Sequence, residues 1–166
     1  VQTCALPISK SFATNDHLSF FQKIIFPFGG KITKFFPNEK SSDFTGSFQY
    51  STSHYTGWVH SDAHNVKWAA IIYLTPDAPT NSGTSFYKFI ENNCIHLQDT
   101  IKKDCLNYVR KYNSDVTKWY EIDSIGNIFN RLIIYNSHYF HRATTYFGSD
   151  INDGRLFQVF FFDTEY

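Results

Sequence analysis

KWAAIIYLT, residues 67–75, is a nearly continuous apolar run that ends at the turn signal Pro76-Asp77. A run of this length, rich in β-branched and aromatic side chains, is typical of a buried β-strand. The segment GTSFYKF, residues 83–89, alternates between polar and apolar residues and predicts a second strand. The centre of the chain is therefore predicted to be β-structure.

Further short elements are predicted on both sides of this centre. The additional strands cover Gly46–Thr52, Thr117–Ile122, Ile128–Tyr135 and Arg155–Phe162. Helical spacing of apolar residues predicts a first helix over Asp16–Phe26, capped at Asn15 or Asp16, and an inserted helix over Ile95–Tyr112. Many short strands with a few helices predict a mainly β fold with accessory helices, of the β-sandwich or jelly-roll type.

The composition narrows the classes of function. Of the 166 residues, 42% are hydrophobic and 19% are aromatic, which is typical of a globular β protein. Lys plus Arg equals Asp plus Glu at 15 each, so the chain lacks the basic field that phosphate backbones and anionic membranes attract. No apolar run is long enough to cross a bilayer. We therefore predict a protein without general nucleic-acid binding or membrane association. Cys94 and Cys105 are poorly placed to pair with each other, which indicates reduced thiols and a cytoplasmic protein.

The first eight residues, VQTCALPI, are considered apart from the rest of the chain. They resemble the translation of a common short-read sequencing adapter, and the sequence contains no Met. We therefore exclude residues 1–8 from the fold prediction as an artefact. Residues 9–166 carry no repeat or low-complexity tract and are expected to form a single jelly-roll domain, truncated at its N-terminus.

Two ligand-type side chains stand close together in the segment GWVHSD, residues 57–62. His60 and Asp62 are two positions apart, so on an extended strand they share one face. A facial-triad Fe(II) site needs two His and one carboxylate, and leaves open positions for other ligands. The strand that leads into NSHYFH, residues 136–141, offers the third ligand, which we assign to His141 ahead of His138.

The order of the motifs along the chain carries a family resemblance. The segments are His60-x-Asp62, WAAIIYLTPD (68–77), NSGTSFYKF (81–89), RLIIYNSHYFH (131–141) and GRLFQVFFF (154–162). This order resembles the Fe(II)/2-oxoglutarate-dependent oxygenase superfamily, in particular small bacterial and phage-type, prolyl-hydroxylase-like members. The resemblance spans Gly57–Phe162 and implies a cupin-like double-stranded β-helix with Fe(II) on His60, Asp62 and His141.

The resemblance also implies a basic residue that holds the far carboxylate of 2-oxoglutarate. Arg155, fourteen positions after His141, has the position that the resemblance implies, and its guanidinium can pair bidentately with a carboxylate. Arg142 directly follows His141, so on an extended strand its side chain points to the opposite face, and Arg131 has no counterpart in this role in the superfamily. Many relatives carry a hydroxyl residue two positions later, where this chain has Phe157. Tyr73 and Tyr87, which lie on strands near the proposed site, are further candidates for contact with the co-substrate.

The activity implied is hydroxylation of a C–H bond with O2 and 2-oxoglutarate, releasing succinate and CO2. The substrate is expected to be a small molecule or a peptidyl side chain, and the sequence fixes neither its identity nor the oligomeric state. Two alternatives remain open. One is a jelly-roll binding module without catalysis, which the aromatic content suits. The other is a cupin-type metalloenzyme that does not use 2-oxoglutarate, although such proteins usually rely on three His and a Glu.

Overall fold

The computed structural model describes residues 6–7, 12–35, 45–62, 66–96 and 103–166. Its strands are β1 (Leu6–Pro7), β2 (Lys31–Lys34), β3 (Phe48–Ser51), β4 (Trp68–Tyr73), β5 (Thr84–Phe89), β6 (Trp119–Ile125), β7 (Leu132–Asn136), β8 (His141–Ala143) and β9 (Arg155–Glu165). Its helices are α1 (Asn15–Ile25) and α2 (Lys103–Tyr112), with short 3₁₀ turns at Phe26–Phe28, Thr80–Ser82 and Val116–Lys118. The prediction of a mainly β chain with accessory helices is confirmed.

The strands form two antiparallel sheets that make a β-sandwich. The larger sheet has the order β1-β3-β9-β4-β7, and β2 pairs with the far end of β9. The smaller sheet has the order β6-β5-β8, and an isolated bridge between His60 and His141 adds the segment before residue 62 to its edge. Strand β9 therefore contacts β2, β3 and β4 and is the common neighbour of the larger sheet.

The two faces of the larger sheet are buried by different partners. On one face, Phe160 and Phe162 are fully buried against Phe21 of α1, whose ring centroid lies 5.0 Å from that of Phe160. On the other face, Tyr73 and Phe157 belong to a cluster between the sheets. Both faces of β4 and β9 are thus apolar, which explains why their sequences read as continuous hydrophobic runs.

Helix α1 begins at Asn15, one residue earlier than the sequence indicates. Its N-cap is Thr14, whose side-chain oxygen accepts a hydrogen bond from the backbone N–H of His17 at 3.4 Å. The His17 ring returns the interaction, since Nδ1 accepts from the backbone N–H of Thr14 at 3.2 Å. The predicted caps at Asn15 and Asp16 are wrong, because this reciprocal pair satisfies the free amides of the first turn.

Three other predicted boundaries differ from the structure. The inserted helix does not include its predicted start, because His96 pairs with Tyr139 in an isolated bridge and α2 is described only from Lys103. Residues 97–102 lie outside the described part of the chain. The strand predicted from Ile128 begins at Leu132, since Asn130 has a positive φ of 62° in the preceding turn. The strand predicted over Thr117–Ile122 runs from Trp119 to Ile125 instead.

None of the helices in the described ranges is long and apolar enough to cross a membrane. The longest has 11 residues, whereas a spanning helix needs about 20.

Candidate metal centre

Backbone pairing brings the two halves of the predicted site together. The amide of His60 donates to the carbonyl of His141 at 3.0 Å, and the amide of His141 donates back at 2.8 Å. The amide of Asp62 donates to the carbonyl of Ser137 at 2.8 Å. The H-x-D segment is therefore held as an extended chain beside β8, although 79 positions separate Asp62 from His141 in the sequence.

The three predicted ligand side chains converge at one point. Asp62 lies between the two histidines, with Oδ1 at 3.6 Å from Nε2 of His60 and Oδ2 at 3.2 Å from Nε2 of His141. One donor atom from each residue lies within 4.8 Å of the other two, and no fourth His, Cys, Asp or Glu joins the group among the described residues. Donors bound about 2.1 Å from one ion at right angles lie about 3 Å apart. The distances of 3.6 and 3.2 Å from Asp62 to the two histidines are close to this spacing.

Both histidine rings are oriented by backbone carbonyls. Nδ1 of His60 lies 3.0 Å from the carbonyl oxygen of Trp58, and Nδ1 of His141 lies 2.9 Å from that of Tyr139. A carbonyl only accepts, so in each ring Nδ1 carries a proton, and Nε2 is the ring atom that faces Asp62 and that a metal would bind in place of a proton. Metal-ligating histidines characteristically use this arrangement, which fixes the tautomer and the ring plane.

Tyr135 adds a phenol that the sequence analysis did not single out. Its Oη lies 3.3 Å from Oδ2 of Asp62 and 3.2 Å from Nε2 of His141, and its side chain is buried. Burial raises the pKa of Tyr135 well above its usual value of 10.0, and the charge of Asp62 raises it further. The phenol therefore keeps its proton and acts as a neutral donor to the ligand cluster. The alternation of residues 131–135 could have indicated the position of Tyr135, because it places this residue on the same face of the strand as Ile133.

The charges of the centre stabilise one another. Burial by itself would raise the pKa of Asp62, but the charge and hydrogen bond of His141, together with the charge of His60, lower it to about 2. Burial by itself would lower the pKa of His141, but the Asp62 carboxylate outweighs it and the pKa is raised above 6.5. The carboxylate is thus ionised throughout the physiological range, as a ligand must be.

Arg155 is buried at the start of β9, on the inner side of the sandwich. Its side chain stacks on the ring of Phe157, with 4.4 Å from the guanidinium carbon to the ring centroid, and only 3% of the residue is exposed. Nε donates to the carbonyl of Ser82 at 2.8 Å, and Nη2 donates to that of Gly83 at 3.2 Å. No carboxylate pairs with this guanidinium within the described ranges, although buried cations are ordinarily paired.

The surroundings of Arg155 connect it to the ligand cluster. The ring of Tyr73 lies 5.4 Å from the guanidinium carbon, and its phenol donates to Oγ1 of Thr84 at 2.8 Å. The charge of Arg155 also acts on His141, whose pKa it lowers in part. Gly83 is required here because a Cβ at this position would stand 1.8 Å from the carbonyl oxygen of Ile125. Its carbonyl can therefore reach Arg155 only in the absence of a side chain.

The remaining candidates lie elsewhere. Tyr87 donates to Glu121 at 3.2 Å and packs with Phe89 and Trp119, so the structure does not bring it together with Arg155 as it does Tyr73. Nε of Arg142 donates to the carbonyl of Ala143 at 3.2 Å, and Nη1 of Arg131 donates to that of Gly126 at 2.9 Å. His138 is not part of the three-ligand group. His64, two positions after Asp62, lies outside the described residues.

Fold and site together define a class of protein, namely a β-sandwich that gathers two imidazoles and one carboxylate between its sheets. Within this class the chain belongs to DUF6445, a family of unknown function, whose model matches residues 52–162. That range contains His60, Asp62, His141 and Arg155 and excludes α1 and β3. A comparison with curated proteins finds no match.

Proposed function

We propose that this protein is an Fe(II)- and 2-oxoglutarate-dependent dioxygenase that hydroxylates a C–H bond of a small-molecule or peptidyl substrate. In this reaction one oxygen atom of O2 enters the substrate as a hydroxyl group. The other enters succinate, the product of 2-oxoglutarate decarboxylation, and CO2 is released. The observation that carries the proposal is the convergence of His60, Asp62 and His141 on one point, together with a buried arginine that has no acidic partner among the described residues.

The donor set suits iron better than the alternatives raised by the sequence. Two neutral imidazoles and one ionised carboxylate are the ligands of non-haem Fe(II) oxygenases, and a three-ligand face leaves room for two further donors of a co-substrate and for O2. Cupins of other chemistry usually rely on three His and a Glu, whereas the group here has two His and one Asp. Iron, when bound, supplies the redox chemistry that couples decarboxylation of the co-substrate to oxidation of the substrate.

The buried guanidinium supports the assignment of the co-substrate. Arg155 is 3% exposed, stacks on Phe157 and, among the described residues, donates only to neutral groups, so its charge favours an anion nearby. The far carboxylate of 2-oxoglutarate would supply that charge, and the planar guanidinium of Arg155 would bind it through two parallel hydrogen bonds. The residues of the chain thus bind and orient the co-substrate, while the apolar walls around Phe86 and Ile71 exclude water from the reacting end.

The strand order also supports the jelly-roll type within the β-sandwich class. The smaller sheet becomes four-stranded when the His60 segment is counted beside β8, which gives the order His60 segment, β8, β5, β6. It faces the four strands β3, β9, β4 and β7 of the larger sheet. Two facing four-stranded antiparallel sheets are the arrangement of a jelly-roll.

An anaerobic titration tests the proposal. Fe(II) is added to the purified protein, followed by 2-oxoglutarate, and the weak metal-to-ligand charge-transfer band in the visible is recorded. We expect a band in the parent protein, no band in His141→Ala, and a band in Arg155→Ala only at much higher 2-oxoglutarate concentration. His138→Ala and Arg142→Ala are the matched controls, and both should behave as the parent. His138 is a histidine of the same segment as His141, and Arg142 is an arginine on β8 whose Nε donates to the carbonyl of Ala143.

The outcomes separate the alternatives. A folded parent that binds neither Fe(II) nor 2-oxoglutarate contradicts the proposal and favours the binding module. A parent that binds Fe(II) tightly but gives no band with 2-oxoglutarate favours a metalloenzyme that does not use this co-substrate. Succinate release on admission of O2, with or without candidate substrates, then measures turnover directly.

A further inference from the structure

The neighbour of Arg155 in the sheet is a buried serine. In the antiparallel pairing of β3 with β9, Ser51 stands directly opposite Arg155. Residues directly opposite in such a pair carry their side chains on the same face, with Cβ atoms about 4.5–5.5 Å apart. Because the Arg155 side chain lies on the inner face over Phe157, the hydroxyl of Ser51 lies on that face as well.

The hydroxyl of Ser51 has no hydrogen-bond partner among the described residues. The residue is 0% exposed, and its Oγ is buried without a donor or acceptor within the described part of the chain. A buried polar atom without a partner is destabilising, and folded proteins ordinarily provide such an atom with a hydrogen bond. A second polar group with unused capacity, the guanidinium of Arg155, stands beside it on the same face, and neither bonds the other.

We infer that Ser51 and Arg155 together bind the far carboxylate of the 2-oxo acid, with the hydroxyl donating to one oxygen and the guanidinium to both. The inference rests on the proposed function and extends it to a residue on another strand. Phe157 occupies the position two residues after Arg155, where a hydroxyl would share its face. The neighbouring strand β3 supplies that hydroxyl instead, so Ser51 selects for a 2-oxo acid with a distal carboxylate.

The test compares Ser51→Ala with the parent as Fe(II)-loaded protein without O2. Titration with 2-oxoglutarate, followed by the charge-transfer band, should give a dissociation constant raised about tenfold or more, as expected for loss of a hydrogen bond to a charged group. Binding of pyruvate, which has the same 2-oxo acid end and no distal carboxylate, should be unchanged. A role in packing alone would not distinguish the two ligands.

A second measurement uses the ligand-free protein. Removing a buried hydroxyl that has no partner among the described residues should leave Tm unchanged or raise it by a few °C. Ser47→Ala is the matched control, because Ser47 is also 0% exposed and precedes β3, but its hydroxyl accepts from Gln49 at 3.4 Å. That variant should keep the parent affinity for 2-oxoglutarate.

Each result decides the inference. A parent that binds 2-oxoglutarate while Ser51→Ala binds it equally tightly overturns the role of Ser51 and leaves the proposed function intact. Equal weakening toward pyruvate and 2-oxoglutarate also overturns it, since it indicates a general effect on the site. A parent that binds no 2-oxoglutarate overturns both this inference and the function on which it rests.

Discussion

Replacing Tyr135 by Phe tests whether a phenol outside the ligand set orients it. The substitution removes one oxygen that lies within 3.3 Å of Asp62 and His141, and keeps the ring that packs edge-on against Phe86 with centroids 5.2 Å apart. The phenol has one proton. Once a metal occupies Nε2 of His141, only the Asp62 carboxylate can accept that proton, so Tyr135 then fixes the direction in which the carboxylate points.

The magnitude follows from this geometry. Loss of a group that orients a metal ligand typically weakens metal affinity ten- to hundredfold, or about 1.4–2.7 kcal/mol. We expect Tyr135→Phe to bind Fe(II) or Co(II) more weakly by this factor in an anaerobic competition titration with a chelating dye, with little change in Tm. Tyr87→Phe is the matched control, because its hydroxyl bonds Glu121 instead of a ligand. Equal metal affinity in Tyr135→Phe and the parent would refute the orienting role.

Three further perturbations have defined outcomes. As the pH falls, metal binding should begin to weaken while the pH is still above about 6.5, because the pKa of His141 is raised and protons compete with the metal for Nε2. A Co(II) affinity that does not depend on pH would contradict this. Phe160→Ala should lower the free energy of unfolding, measured with urea, by about 3–5 kcal/mol, because its fully buried ring packs on α1. A loss under about 1 kcal/mol would contradict this and would mean that neighbouring side chains fill the cavity left by the ring. Gly83→Ala should lower Tm and weaken 2-oxoglutarate binding together, because its Cβ would meet the Ile125 carbonyl at 1.8 Å; an unchanged Tm would contradict that clash.

The local patterns of the sequence were sufficient to predict the central strands. The runs that form β4 and β9 are apolar on both faces, and such runs are hard to place anywhere but in the middle of a covered sheet. Strand β8 was missed because its three residues, HRA, are too short for any period to appear. Strand β8 forms because it pairs with β5 on one side and with the His60 segment on the other. Such pairing between distant segments does not appear in the local propensity of the three residues.

The site was predicted as far as residue type and spacing allow. His60 and Asp62 share a face by the period of a strand, and the convergence with His141 agrees with the expected ligand set. Contacts made by pairing between distant segments could not be predicted in this way. Ser51 and Arg155 are neighbours only through the register of β3 and β9, and Tyr135 reaches Asp62 across the sandwich. The identity of the metal, the co-substrate and the substrate stay predictions.

The reciprocal backbone bonds between His60 and His141 bear on how the centre is loaded. Because main-chain bonds of 3.0 and 2.8 Å hold the two segments side by side, the ligands are assembled without help from an ion. Little ordering entropy is then left for metal uptake to overcome, in contrast to zinc fingers, which fold only around their metal. If the centre holds the proposed metal, the protein should therefore survive chelation as a folded apoprotein and exchange that metal reversibly, so that occupancy would follow the local supply of the ion.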